Sequence, residues 1–170
     1  MNKFLILYLL GIAMCYTSCR KKSQTVLNKQ KFNENWVFKR LDTPSDTALF
    51  YRNSIETDWT SVTLPHTTQL EPKVVQKQWQ GISWYRKNFS IPSEMEGKRL
   101  FLKFEGAMNI AEVWVNEKKM IRHQGGYLPF VIDITEQVDI DSQNTIAVRL
   151  DNRDNPITGP KPLHTLDFNT

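Results

Sequence analysis

Few side chains in this 170-residue chain stand in a pattern that does chemistry. Trp79 is one. Gln76-Lys77-Gln78-Trp79-Gln80 is a polar run without core periodicity, so no interior obviously claims the indole. A flat indole face suits the C–H face of a pyranose, which makes Trp79 the candidate contact for a sugar or a partner. Trp36, Trp59, Trp84 and Trp114 read as packing of a small β-protein, with Trp114 free to cover a second layer or an interface. His66, His123 and His164 share no metal-ligand spacing and have no cysteine to help them, so no metal site is expected. No Gly-x-Ser-x-Gly elbow offers a nucleophile. Gly125-Gly126 lacks the context of a phosphate loop and reads as a turn. No cofactor is implied.

The amino terminus carries chemistry of another kind. Lys3 is the only charge before Arg20, and Phe4 to Met14 is an apolar run interrupted by Gly11. That run is too short to span a bilayer and fits the apolar region of a signal peptide. Tyr16-Thr17-Ser18-Cys19 then resembles a bacterial lipoprotein cleavage box: small side chains precede the scissile bond, and the thiol after it becomes acylated. Cys15 fits less well behind the bulky Met14. The expectation is a signal peptide over 1–18, lipidation at Cys19, and a basic tether over 19–31. The mature chain would then hold one cysteine, already acylated, and no intramolecular disulfide. Such a protein is anchored to a bacterial cell membrane, periplasmic or outer-membrane; Arg20-Lys21-Lys22 lacks an acidic export signal, which favours the periplasmic side.

The net charge of +4 has the same origin. Lys3, Arg20, Lys21, Lys22, Lys29 and Lys31 account for six of the 22 Lys and Arg and have no acid among them, leaving 16 cations against 18 acids beyond residue 31. Basicity is therefore a property of the tether. It favours anionic lipid headgroups and gives no argument for nucleic-acid binding.

The elements that must position any site are strands. Val62-Thr63-Leu64 stops at Pro65, and Ser83 to Ile91 sets Tyr85, Lys87, Phe89 and Ile91 against Trp84, Arg86 and Asn88. Arg99 to Glu105 is bounded by glycines. Ala111, Val113 and Val115 share one face opposite Glu112 and Trp114; Tyr127 to Ile134 and Asn144 to Asp151 follow. Short period-two runs between Gly, Pro, Asn and Asp predict an all-β antiparallel jelly-roll sandwich over 32–170. No run carries a helical stripe over three turns, and Ile157 to Pro162 reads as a loop.

Several pieces, in order, carry a resemblance: Trp59 with Val62-Thr63-Leu64-Pro65-His66-Thr67, then Gly81-Ile82-Ser83-Trp84-Tyr85-Arg86-Lys87, Gly106 to Asn116, Gly125-Gly126-Tyr127, and Leu166-Asp167-Phe168-Asn169. Together they resemble the amino-terminal, galactose-binding-domain-like sugar-binding domain of family 2 glycoside hydrolases, the β-galactosidase and β-glucuronidase family. The resemblance implies a carbohydrate partner of β-galactoside type, and Asp167 as the aspartate that reaches the terminal sugar's hydroxyls, a task that suits a charge-assisted acceptor. It also implies that the catalytic glutamates belong to a barrel encoded downstream. This chain is shorter than the ~200 residues such a barrel needs, so no catalytic residue is expected in it. The sandwich's last strand would likewise follow Thr170. Asn33-Glu34 and Asn116-Glu117 copy the family's catalytic dipeptide in letters only, and Asn116-Glu117 departs from the family's Asn-Gly turn. Two other readings stay open: a stand-alone lipid-anchored carbohydrate-binding module, and a truncated product with only an interaction role.

Overall fold

A computed structural model of the chain describes residues 28–41, 50–52, 58–68 and 79–154. Among the described residues, eight strands make two sheets: β1 Trp36–Leu41, β2 Thr60–Val62, β3 Ile82–Ser90, β4 Phe101–Phe104, β5 Ile110–Val115, β6 Lys118–Gln124, β7 Phe130–Asp133 and β8 Gln143–Asp151. Six form one sheet in the order β2-β1-β3-β8-β5-β6, and β4 pairs with β7 in a two-stranded sheet. Every strand pair is antiparallel. The only helical piece among the described residues is the 3-10 turn Ser93–Met95. The predicted sandwich is present.

Alternation in sequence becomes two faces in space. Tyr85 of β3, Ala111, Val113 and Val115 of β5 and Ile146 and Val148 of β8 are buried against Phe130 and Ile132 of β7 and the half-buried Leu102 and Phe104 of β4. Val113, Val115 and Ile146 have no measurable exposure. Burying each such side chain fully is worth about 1.5–3 kcal/mol, so this layer between the sheets holds the fold. The intervening residues build a second layer on the outer face of the large sheet: Ile82, Trp84, Trp114 and Ala147, with Leu41, Phe50, Tyr51 and Trp59 packed on them. Tyr51 stacks on Trp114 at 5.3 Å. Trp114, turned away from Val113 and Val115, thus covers a second layer within the domain.

Two strands were not legible from alternation. β1, Trp-Val-Phe-Lys-Arg-Leu, does not alternate cleanly because Trp36 and Phe38 pack in the inner core while Leu41, at its other end, packs in the outer layer. β6, Lys-Lys-Met-Ile-Arg-His-Gln, is a sheet edge with one neighbour; it buries little, and its polar residues mask the pattern. β7 begins only at Phe130, so Tyr127 and Leu128, predicted at the head of a strand, instead lie exposed in a loop.

The β5–β6 turn keeps its form without a glycine. Val115 pairs with Lys118 across Asn116 and Glu117, whose φ values are +45° and +66°. Two positive φ angles in a two-residue loop define the type I′ hairpin that matches strand twist. Asn116 sits readily there; Glu117 does so at a steric cost.

Candidate functional site

The large sheet brings several strand ends to one place. Leu41 pairs with Ile82, Ile82 with Asp151, Asp151 with Ile110, and Ile110 with Gln124. The described segments leaving this end are Trp79–Gly81, Asn152–Asp154, Gly106–Asn109 and Gly125–Leu128. The last two touch. A Cβ on Gly106 would come within 3.0 Å of the Gly126 carbonyl, and one on Gly126 within 3.0 Å of Met108 Cγ. Asn109 joins them to the sheet: its amide donates to the Asp151 carbonyl at 3.1 Å, and its carbonyl accepts from Gly125 at 2.9 Å.

Trp79 stands at this end, half-buried. Its carbonyl accepts from Asn152 Nδ2 at 3.0 Å, and the Arg40 guanidinium lies 5.7 Å from its ring centre. Asn152 Oδ1 accepts from the Gly81 amide at 2.7 Å, and the Gln80 carboxamide oxygen accepts from the Asp154 amide at 3.3 Å. The Asp151 carboxylate accepts from Arg153 Nε at 2.8 Å and Nη2 at 2.5 Å, with Arg149 Nη2 at 3.6 Å. Burial alone would raise the Asp151 pKa, but the Arg153 hydrogen bonds and the charges of Arg153 and Arg149 outweigh it and hold the carboxyl below the usual range. The carboxylate is therefore ionised and occupied within its own loop. Among the described residues, what this end offers a ligand is one apolar ring with the Arg40 guanidinium and the Asn152 and Gln80 carboxamides nearby, which suits hydroxyl-bearing, C–H-faced molecules and includes no acid–base pair. Exposed Met108, Tyr127 and Leu128 add apolar surface in the loops that Asn109 ties to β8.

The remaining predicted positions fall elsewhere. Asp167, Cys19 and His164 lie outside the described residues. His66 makes a 2.9 Å hydrogen bond with the Tyr85 hydroxyl and packs on Phe38. His123 stacks on Phe130 at 4.2 Å, with Nε2 3.1 Å from the Gly125 carbonyl oxygen. Both are accounted for by packing. Among the described residues no three His, Cys, Asp or Glu group as a metal site, and no helix is long and apolar enough to cross a membrane. Glu34 and Glu117 are both exposed, Glu34 before β1 and Glu117 in the β5–β6 turn. Asn152 and Gly81 were not singled out from sequence as site residues. The available signal was an Asn just past a strand, where its side chain bonds nearby backbone, opposite a Gly just before one.

Comparison with known proteins adds the lineage. The family model described as glycosyl hydrolases family 2, sugar binding domain, matches residues 28–156. Asp167 lies beyond that match. A β-galactosidase of Thermoanaerobacter pseudethanolicus is 33% identical over 141 residues, 81% of this chain and 18% of that protein. A β-glucuronidase of Bacteroides fragilis is 32% identical over 154 residues, 89% of this chain and 19% of that protein. A solved glycosyl hydrolase family 2 member from Bacteroides cellulosilyticus superposes with a TM-score of 0.66 at 30% identity, covering 76% of this chain and 18% of that one. The chain thus spans about a fifth of the length of these relatives.

Proposed function

The chain belongs to family 2 of the glycosyl hydrolases, as its sugar-binding domain, and on that premise we propose that it recognises carbohydrate without catalysing its hydrolysis. The observation that carries the reading is Trp79: a half-buried indole at the loop end of the sheet, with its main chain bonded to Asn152 and a guanidinium near its ring. An aromatic face buries sugar C–H surface, and the neighbouring Arg40 guanidinium serves a hydroxyl. The glycan proposed is a terminal β-galactoside or β-glucuronide, since relatives bear both names. Asp167 is proposed as the carboxylate that meets its hydroxyls. Cleavage by a retaining mechanism needs two carboxyl groups about 5 Å apart; in this reading they come from a catalytic barrel with which the domain works.

The test is a titration of the full 170-residue chain with methyl β-galactoside and methyl β-glucuronide, followed by indole fluorescence and NMR. Saturable perturbation that Trp79→Ala abolishes supports the reading. No response at tens of millimolar, roughly the weak end of single-site affinities, overturns it.

We also propose that residues 1–18 are a signal peptide and that Cys19 is acylated, anchoring the protein to the periplasmic or outer membrane through the basic 19–31 tether. The apolar run, the Thr-Ser-Cys box and the acid-free tether support this. Mass spectrometry of the membrane-extracted protein should find diacylglyceryl-Cys19 at the mature terminus. An unmodified terminus elsewhere overturns the anchor.

A further inference from the structure

The loop that carries Trp79 is built around its ring. Gly81 is buried, and its φ lies outside the positive range that only glycine adopts easily. Backbone conformation therefore gives no reason for a glycine. Space does: a Cβ at Gly81 would sit 2.6 Å from Trp79 Cζ2, 3.0 Å from Cη2 and 3.3 Å from Cε2. The three nearest atoms in its way all belong to the indole. Any side chain at 81 must push the ring from its place.

Asn152 fixes the other side of the same unit. Its Oδ1 accepts from the Gly81 amide at 2.7 Å, its Nδ2 donates to the Trp79 carbonyl at 3.0 Å, and its own amide donates to the Gly81 carbonyl at 3.2 Å. One residue thus grips the main chain both at the tryptophan and two positions later, across more than 70 residues of sequence. The grip starts one residue past the end of β8, at the point where Asp151 is locked by Arg153. The main chain of 79–81 is held by the frame of the sheet, and the indole is held by the missing side chain at 81.

We propose that Gly81 and Asn152 are positioning residues that set the plane of the Trp79 indole and so determine glycoside affinity without touching the sugar. This rests on the reading of Trp79 as the sugar platform. A stacking surface gains from being fixed beforehand, because the ordering cost of the ring then falls on folding and not on binding.

Gly81→Ala is the discriminating variant, since it should move a ring and leave every main-chain hydrogen bond in place. In the full chain, the indole N–H resonance of Trp79, assigned by its loss in Trp79→Phe, should shift in Gly81→Ala while the other four indole resonances stay. The melting temperature should change by less than ~3 °C, and glycoside affinity should fall about tenfold, equivalent to ~1.4 kcal/mol. Asn152→Asp keeps the acceptor for Gly81 but loses the donor to Trp79; it should weaken binding by a smaller factor than Asn152→Ala. A Trp79 resonance unmoved by Gly81→Ala overturns the proposal. So does a wild-type chain whose binding is lost on Trp79→Ala and retained on Gly81→Ala, and that result leaves the sugar platform standing. A wild-type chain that binds no glycoside overturns the platform reading and this proposal with it, an outcome distinct from the others.

Discussion

Asn116 Nδ2 donates to Asn144 Oδ1 at 2.7 Å, joining the β5–β6 turn to the start of β8. Both carboxamides are used in full around that bond. Asn116 also donates to the Gln137 carbonyl at 2.8 Å and accepts from the Thr145 amide at 2.9 Å. Asn144, with no measurable exposure, accepts from the Asp139 amide and donates to the Asp139 carbonyl, each at 2.8 Å. The pair fixes the end of the sheet opposite the Trp79 loops.

Removing either carboxamide takes the partner from two or three part-buried main-chain groups, at about 1–3 kcal/mol for each group not rescued by water. Asn144→Ala should cost roughly 2–4 kcal/mol and lower the melting temperature by ~10 °C. Asn116→Ala should cost somewhat less, because its site is nearer to solvent. Denaturant melts measure both, and the double variant should cost less than the sum, since the two share one network. Additive costs would show that the carboxamides act separately.

Glu117 occupies the second turn position at a φ of +66°, where a Cβ is unwelcome. Glu117→Gly should relieve that strain but loosen the unfolded chain, for a net gain of about 0.5–1 kcal/mol. The denaturant midpoint should rise without a change in slope. A loss of stability would mean that the Glu117 side chain stabilises more than its backbone costs.

Sequence reading succeeded where one face of a strand meets the interior and the other does not. Ala111, Val113 and Val115, or Ile146 and Val148, announce β5 and β8 because burial obeys the period of the pleat. It failed at β1, packed on both faces, and at β6, an edge with little to bury. Trp79 was legible as an aromatic in a polar run. Its supports were not, because Gly81 is explained only by an indole that arrives from two positions earlier, and Asn152 by a carbonyl some 70 residues away in sequence. Such pairings leave no period for a reader to find. The turn at Asn116-Glu117 shows the converse: departure from Asn-Gly did not change the turn type, because the pairing of β5 with β6 and the Asn116 network over-determine it.

Acid should weaken the domain through Asp151 and Asp133. The Asp151 pKa is held down against its burial by Arg153 and Arg149, and Asp133 is brought down to about 2 by hydrogen bonds from Thr135 and Arg99. Folded values below the unfolded value of ~3.9 mean that the stabilisation is present above that pH and lost as pH falls through the folded values. Melting temperature should therefore drop between about pH 4 and pH 2. Asp151→Asn should flatten part of that drop while lowering stability at pH 7, where Arg153 loses its ionised partner. An acid limb unchanged in Asp151→Asn would remove Asp151 from the account.

Alkali should act through Tyr85. Its side chain lies under the sheet against Phe38, ring centres 5.0 Å apart, with its hydroxyl 2.9 Å from His66 Nδ1. Burial pushes the phenol up to about 12, although a hydrogen bond with Thr68 pulls the other way. Partial burial also lowers the pKa of His66. A folded pKa above the unfolded value of ~10 means that the neutral phenol's contribution is complete below that pH and disappears as pH rises through the folded value. Stability should thus decline between about pH 10 and pH 12, by an amount on the order of 2–3 kcal/mol. Tyr85→Phe keeps the ring and removes the titration, so its stability should be flatter across that window. At pH 7 it should be about 1 kcal/mol less stable than the wild type, because His66 loses its partner. Tyrosinate absorbance followed against pH, beside the melt, separates ionisation of Tyr85 from general unfolding. If absorbance shows every tyrosine ionising near pH ~10 in the folded chain, the phenol is not shielded as its packing requires.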